Sequence, residues 1–320
     1  MTDPLAEVVS LLQPRASYTK LVACTAPWLV RRSEFGQPFY AVVLEGGCHL
    51  TVDGQDTITL HAGDFVLLPA AQGFATASLG HPQAADPDAA TSPARMMPGG
   101  VRIGDPDGPV DARLLVGHCT FESPDAALLV SLMPRWLLVR GEPRLATLLQ
   151  LVNDETRAAR PARGVVLARL LEVVLIEALR LSACQGACQA ASPGVARGLA
   201  DPRLAAALRC LHAEPARAWT VEQLAQAAAM SRSAFFERFS QTVGMAPMAY
   251  LLLWRMALAQ RMLRDEGLAV ARVAERVGYS SASTFGAAFL RHVGMSPALY
   301  ARQARQAPAG ADAHAEAEAA

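Results

Sequence analysis

VEQLAQAAAMSRSAFFERFSQTVGMAP at 221–247 and VARVAERVGYSSASTFGAAFLRHVGMSP at 270–297 are two copies of one pattern. Leu224-Ala225 corresponds to Val273-Ala274 at a spacing of 49. Phe235, Phe239, Gly244 and Pro247 correspond to Phe285, Phe289, Gly294 and Pro297 at a spacing of 50, so the second copy carries one extra residue at its turn. In each copy a short helix packs through Leu224 or Val273, and a small residue, Ala225 or Ala274, lets a second helix approach closely. A serine at the turn, Ser231 or the pair Ser280-Ser281, is an N-cap for that second helix. The helix buries two aromatic rings at i, i+4 and stops at Gly244 or Gly294, in C-cap position. Each copy is therefore a helix-turn-helix. Between them, Met248 to Leu263 reads as one helix begun near Pro247, a strut that holds the two units at a set separation.

This geometry points to double-stranded DNA. A recognition helix fits the major groove, and two of them on a rigid strut reach groove segments roughly 34 Å apart. With Phe235 and Phe239 buried, the first unit turns Arg232, Ser233, Phe236, Glu237 and Ser240 outward. Glu237 can accept from a cytosine amino group, Ser233 can bond to either base type, and Phe236 can touch a thymine methyl. The second unit presents Ser281, Ala282, Ser283, Gly286, Ala287 and Leu290, a face with few hydrogen-bonding readers. It is expected to contribute shape and backbone contacts more than base discrimination. Arg238, Arg255 and Arg291 are phosphate candidates, or equally members of solvated faces.

Charge supports the division. The net charge of the 320 residues is zero, but 203–305 hold 13 Arg against 6 Asp/Glu, while 1–202 carry a net of −4. A basic block behind an acidic body suits a C-terminal part that meets phosphates. Lys20 is the only lysine.

Upstream, the pattern shortens to period two. Phe39 to Leu44, Cys48 to Val52, Thr57 to Leu60 and Phe65 to Leu68 read as strands joined by tight turns, among them Asp53-Gly54 and Ala62-Gly63-Asp64. A small antiparallel barrel or sandwich is expected. His81 to Pro109, rich in Pro, Gly and Asp, reads as a long surface loop, and Arg113 to Phe121 as a further strand. From Arg144 to Cys184 the period is helical, with a break near 159–164. Residues 185–202 read as a linker and 306–320 as a disordered tail. No export signal or membrane-length apolar run is present, so a cytoplasmic protein with reduced thiols and no membrane partner is expected.

Residues 203–305 resemble the DNA-binding domain of the AraC/XylS family of bacterial transcription regulators. The resemblance rests on Leu224-Ala225, Met230-Ser231, Phe235 to Phe239, Gly244 to Pro247, Ala274 to Ser280 and Phe285 to Pro297. The stretch from about 10 to 185 resembles the cupin-type sensory domain of one branch of that family, through Leu44-Glu45-Gly46 and Ala62 to Pro69. The resemblance implies an α+β chain: a cupin-like antiparallel β-barrel (1–143), dimerisation helices (144–184), a linker, and an all-α domain with two helix-turn-helix units (203–305). It further implies a homodimer and control by a small-molecule or chemical signal. Members of the family more often activate than repress, and an activator would meet RNA polymerase.

Many cupins hold a metal through histidines and a glutamate. Here Phe39 stands at the glutamate position, Ser33 and Phe35 near the paired histidines, and Phe74 near the third histidine. Phenylalanine does not ligate metal, so no metal, cofactor or catalytic residue is expected. Phe35, Phe39 and Phe74 either line a dry effector pocket or are plain core. Two sensory alternatives stay open: a metal site among His49, His61, His81, His118 and Cys119, and a redox-active thiol at Cys24, Cys48 or Cys119. His118 and Cys119, adjacent on a strand, point to opposite faces.

Overall fold

The computed structural model describes residues 3–33, 37–71, 73–80, 91–97, 100–121, 126–158, 160–185 and 193–306. The chain divides into two compact units. One comprises Met1–Leu12, Ser123–Leu132 and Pro193–Ala320; the other comprises Gln13–Glu122 and Met133–Ser192. Of the expected segments 1–143, 144–184, 185–202 and 203–305, the first therefore gives up residues 1–12 and 123–132 to the C-terminal unit, and 144–184 falls with the β-rich one. Helix α1 (Pro4–Leu12) buries Leu5, Val8, Val9, Leu11 and Leu12, and together with the short α2 (Ala126–Val130) it belongs to the C-terminal unit.

The β-rich unit contains β1 (Pro14–Thr25), β2 (Leu29–Arg32), β3 (Gln37–Glu45), β4 (Gly47–Val52), β5 (Ile58–His61), β6 (Phe65–Ala71), β7 (Phe74–Ser78), β8 (Ala94–Met97), β9 (Gly100–Gly104), β10 (Ala112–Phe121) and β11 (Leu137–Val139). One sheet has the order β11-β6-β3-β10-β1-β9-β8 and the other β2-β7-β4-β5. The expected small antiparallel barrel or sandwich is built as two sheets, and β9 alone runs parallel to its neighbour β1 among the described strands. They share a core in which Val22, Phe39, Ala41 and Val43 of the larger sheet meet Cys48, Leu50, Leu60 and Phe74 of the smaller. The expected loop at 81–109 is corrected in part. Its residues 94–104 hold the β8–β9 hairpin, because Val101 and Ile103 alternate into the core beside Val22 and Cys24. Residues 81–90 lie outside the described residues.

Asp64 of the Ala62-Gly63-Asp64 turn explains that marker. Its buried carboxylate accepts from the His61 N–H at 3.0 Å and pairs with Arg140 at 2.5 Å, tying the β5–β6 turn to the end of β11. Gly63 takes a left-handed φ of 88° there. Helices α3 (Pro143–Arg157) and α4 (Arg163–Gln185) pack on each other and on the larger sheet, and Leu145, Leu149, Val152, Leu171, Val174 and Leu175 are buried as the helical period predicts. Val165, Val166 and Val173 of α4 stay exposed.

The helical unit continues with α5 (Val195–Ala200), α6 (Pro202–Ala213), α7 (Val221–Ala227), α8 (Arg232–Val243), α9 (Pro247–Arg264), α10 (Val270–Arg276), α11 (Ala282–Val293) and α12 (Pro297–Gln306). Of the linker expected at 185–202, residues 186–192 lie outside the described residues, and 195–200 form α5. Val195 and Ala196 are buried, and a Cβ at Gly198 would lie 2.8 Å from Val243, so this segment is core. Residues 307–320, expected as a tail, lie outside the described residues. No single helix is long and apolar enough to cross a membrane among the described residues.

Candidate nucleic-acid interface and ligand cavity

The two helix-turn-helix units are built alike. In both, a seven-residue helix (α7, α10) is followed by a twelve-residue one (α8, α11). Leu224, Ala225, Val273 and Ala274 are buried, as are Phe235, Phe239, Phe285 and Phe289. Ser231 caps α8 by accepting from the Ala234 N–H, and Ser281 caps α11 by accepting from the Thr284 N–H. Gly244 and Gly294 end them at φ 89° and 82°.

Both turns close with the same hydrogen bond, Met230 N–H to Ala225 O and Tyr279 N–H to Ala274 O, each 2.9 Å. The left-handed residue is Ala229 in the first turn (φ 50°) and Gly278 in the second (φ 84°). The extra residue of the second copy is therefore Ser280, between that bond and the N-cap. A Cβ at Gly278 would collide with the Ala216 carbonyl. Arg255 of α9 donates to Pro215 O (2.7 Å) and Arg217 O (2.8 Å) in the same α6–α7 loop. Arg255, one of the phosphate candidates, is thereby engaged as a structural tie, and the loop it grips also abuts the second turn.

Arg232, Ser233, Phe236, Glu237 and Arg238 on α8 are all exposed, and Phe236 is 45% accessible, unusual for a large apolar side chain. Arg232 pairs with Glu222 at 2.8 Å, and Arg238 with Asp201 at 2.5 Å. Partial burial opposes ionisation of Asp201. The hydrogen bonds from Arg238 and from the Arg203 and Leu204 N–H groups outweigh it and hold the carboxyl below its usual value. On α11, Ala282, Ser283, Ala287 and Arg291 are exposed, while Ser281 and Gly286 are half-buried. The Ser281 hydroxyl is engaged with the Thr284 N–H and the Thr284 hydroxyl, which makes it a cap first.

Elsewhere in the helical unit, His212 of α6 bridges Glu7 and Tyr250. Its Nδ1 lies 2.8 Å from the Glu7 carboxylate, its Nε2 2.7 Å from the Tyr250 hydroxyl, and its ring stacks on Trp254 at 4.1 Å. Burial lowers the His212 pKa against the opposing pull of Glu7. The neutral ring then carries its proton on Nδ1, toward the carboxylate, and Nε2 accepts from the tyrosine.

The β-rich unit holds a partly open cavity of about 190 Å³. Phe39 and Phe74 both line it, with ring centroids 4.3 Å apart; Phe35 lies outside the described residues. Strand register orders the walls. Tyr18 pairs with His118, Lys20 with Val116 and Val22 with Leu114 across β1 and β10, while Cys24 pairs with Ile103 across β1 and β9. On the facing sheet Arg32 pairs with Phe74 and Val30 with Thr76. One end therefore gathers Tyr18, Lys20, His118, Phe39, Phe74 and Arg32, and the other Cys24, Trp28 and Ile103. Rings run across the first end: Phe39 lies 5.2 Å from His118, His118 5.1 Å from Tyr18, and the Lys20 ammonium 5.1 Å from the Tyr18 ring. Tyr18, Lys20, Trp28, Arg32 and His118 were not foreseen as lining. The available signal was the alternation Tyr18, Lys20, Val22, Cys24, which marks β1.

Among the described residues no group of three or more His, Cys, Asp or Glu side chains could hold a metal ion. His49 contacts the Thr59 hydroxyl at 3.2 Å, and His118 lies in the ring row; His81 is outside the described residues. Cys24, Cys48 and Cys119 are buried, and burial pushes each thiol up to about 12. Burial disfavours the thiolate, the form through which a redox-active thiol reacts.

A cupin family model matches residues 3–183, and a helix-turn-helix domain model matches 224–303. Two putative AraC-like transcription regulators, from Streptomyces lividans and Streptomyces antibioticus, are 37% and 36% identical over 303 residues, spanning 93% of this chain and 97% and 98% of theirs. The DNA-binding domain of AdpA, a global transcriptional factor solved with a target DNA, is 35% identical, with a TM-score of 0.32 over 34% of this chain and 99% of that one. With relatives matched along nearly its whole length, and with paired helix-turn-helix units following a cupin unit, the chain belongs to the AraC-like family of DNA-binding transcription regulators.

Proposed function

We propose that this protein is a small-molecule-responsive regulator, not an enzyme, that binds DNA as a cytoplasmic homodimer and activates transcription through RNA polymerase. The observation that carries the reading is the pair of equally built recognition helices, both with exposed outer faces, in a chain that also holds a partly open cavity. Arg232, Ser233, Phe236 and Glu237 face bases, and Arg238, oriented by Asp201, meets a phosphate. Ala282, Ser283, Gly286 and Ala287 follow groove shape beside Ser281, and Arg291 holds the backbone. Exposed Val165, Val166 and Val173 support pairing of two chains through α4.

Purified protein is incubated with fragmented genomic DNA at physiological salt and the retained fragments are sequenced. Expected is one motif with two blocks about one helical turn (~10 bp) apart. Retention that ignores sequence and vanishes with salt would reduce the readers to phosphate binders and overturn the proposal.

A further inference from the structure

Two parts of the helical unit set how α8 and α11 stand to each other. The first is α9. Helix α8 packs on it, and so do α10 and α11, so both helix-turn-helix units share one axis. A shared axis alone leaves roll about it and rocking at the 265–269 link, where Gly267 takes a left-handed φ of 61°. The second part is the α6–α7 loop, 214–220. It is tied to itself: the Arg217 N–H donates to Glu214 O at 3.2 Å, the Trp219 N–H to Arg217 O at 2.8 Å and the Trp219 indole N–H to Glu214 O at 3.0 Å. The Arg217 guanidinium covers the Trp219 ring at 4.0 Å. Thr220 then starts α7 with a capping box, so the loop moves with the first unit. Arg255 reaches from α9 to the carbonyls on either side of Ala216, Pro215 O at 2.7 Å and Arg217 O at 2.8 Å. Gly278 of the second turn lies so close to the Ala216 backbone that a Cβ would collide with it, and the Arg255 guanidinium stands 6.0 Å from the Tyr279 ring. One side chain therefore holds a loop of the first unit where the turn of the second rests on it.

We propose that Arg255 is a positioning residue for two-block DNA recognition: by clamping the 214–220 loop beneath the turn before α11, it fixes the offset between α8 and α11 and so the spacing of the operator blocks they read. The inference rests on the reading of both helices as DNA readers. One base pair more or less between the blocks shifts the second by about 3.4 Å and turns it by about a tenth of a helical turn. A clamped pair of helices follows that displacement only by deforming the DNA, whereas an unclamped pair adjusts itself.

The operator retained by the wild-type protein is rebuilt with its two blocks at the selected spacing, one base pair closer and one base pair farther. Each version is titrated with the full chain by fluorescence anisotropy. Wild type is expected to bind the selected spacing about tenfold or more tighter than either neighbour. Arg255→Met, checked for folding by thermal melting, brings the three within about threefold of one another, while base swaps inside the α8 block keep their full penalty. Arg255→Lys cannot fork onto two carbonyls and falls between. A folded Arg255→Met with the wild-type ratio overturns the proposal. Equal weakening at all three spacings also overturns it, since that marks a residue that only supports the fold. If Arg255→Met melts below the assay temperature, Arg255→Lys decides by the same ratio, and a wild-type ratio there overturns the proposal. Wild type that binds all three spacings alike overturns the proposal and leaves the DNA reading standing. Wild type that retains no motif at all overturns both.

Discussion

Replacing Tyr250 by Phe removes one hydroxyl and keeps the ring. Tyr250 is fully buried, and its O–H donates to Nε2 of His212 at 2.7 Å. His212 is itself buried, so in Tyr250→Phe the Nε2 acceptor has no water to turn to. A buried group left without its partner costs about 1–3 kcal/mol. The helical unit has roughly 150 residues, for which that cost corresponds to a fall of about 2–12 °C in its melting temperature. The pH dependence is the sharper test. Burial holds the folded pKa of His212 below the unfolded value of 6.5, so the unfolded chain binds the proton first. The stability is complete above about pH 6.5 and falls as pH drops through the window below it, by at most about 1.4 kcal/mol per pH unit. Without the tyrosine donor the neutral ring loses its advantage, the folded pKa rises toward normal, and acid costs the variant less. Wild type and variant are compared by calorimetric melting at about pH 7.5 and about pH 5.5. Their gap is expected to narrow at the lower pH. A gap that holds constant or widens would refute the assignment of a neutral, Nδ1-protonated His212.

Three further outcomes follow from the same geometry. Ala229→Gly relieves a left-handed alanine and raises stability by about 0.5–1 kcal/mol, whereas Gly278→Ala lowers it by more, because its Cβ meets the Ala216 carbonyl; urea unfolding reads both. Once an operator is known, single base-pair swaps under α8 each cost about 1–3 kcal/mol in gel-shift titrations, and swaps under α11 cost less; equal losses contradict the division of labour. In a thiol titration of the native protein, Cys210 reacts before Cys24, Cys48 and Cys119, and these three wait for denaturant; fast native labelling of any of them contradicts their burial.

What was legible in the sequence was local. Caps, helical period and the i, i+4 phenylalanines lie within one turn of the residues they govern, so the repeat disclosed α7 to α11 and an extra residue at the second turn, which the turn hydrogen bonds then identify as Ser280. The strands β3 to β6 were equally plain from alternation between tight turns. Elements whose reasons lie far along the chain were missed. β1 alternates Tyr18 and Lys20 with polar neighbours, and its inward face makes sense only once β10 and β9 lie beside it. The β8–β9 hairpin carries just Val101 and Ile103 as signal in a Pro- and Gly-rich stretch. Gly117 is explained only by the Tyr40 ring that a Cβ would strike. In the site, Phe39 and Phe74 were within reach as substitutions in a known pattern. Lys20, Arg32 and His118 were not, because sheet register brings them together.

Helix α1 has a consequence for the order in which the protein is made. Its apolar face and Glu7 belong with α6, and His212 lies about 200 residues after α1 leaves the ribosome. At roughly 5–20 residues per second, translation keeps that helix waiting about 10–40 s. Meanwhile the whole β-rich unit emerges and can fold between the two halves of its neighbour. During that interval α1 has at most α2 of its native neighbours, with α5 and α6 still to come, so nascent chains present a short sticky helix that chaperones can recognise. A C-terminal fragment begun after residue 192 would be released with the matching groove uncovered. Its solubility should improve when a peptide of residues 3–12 is supplied in trans.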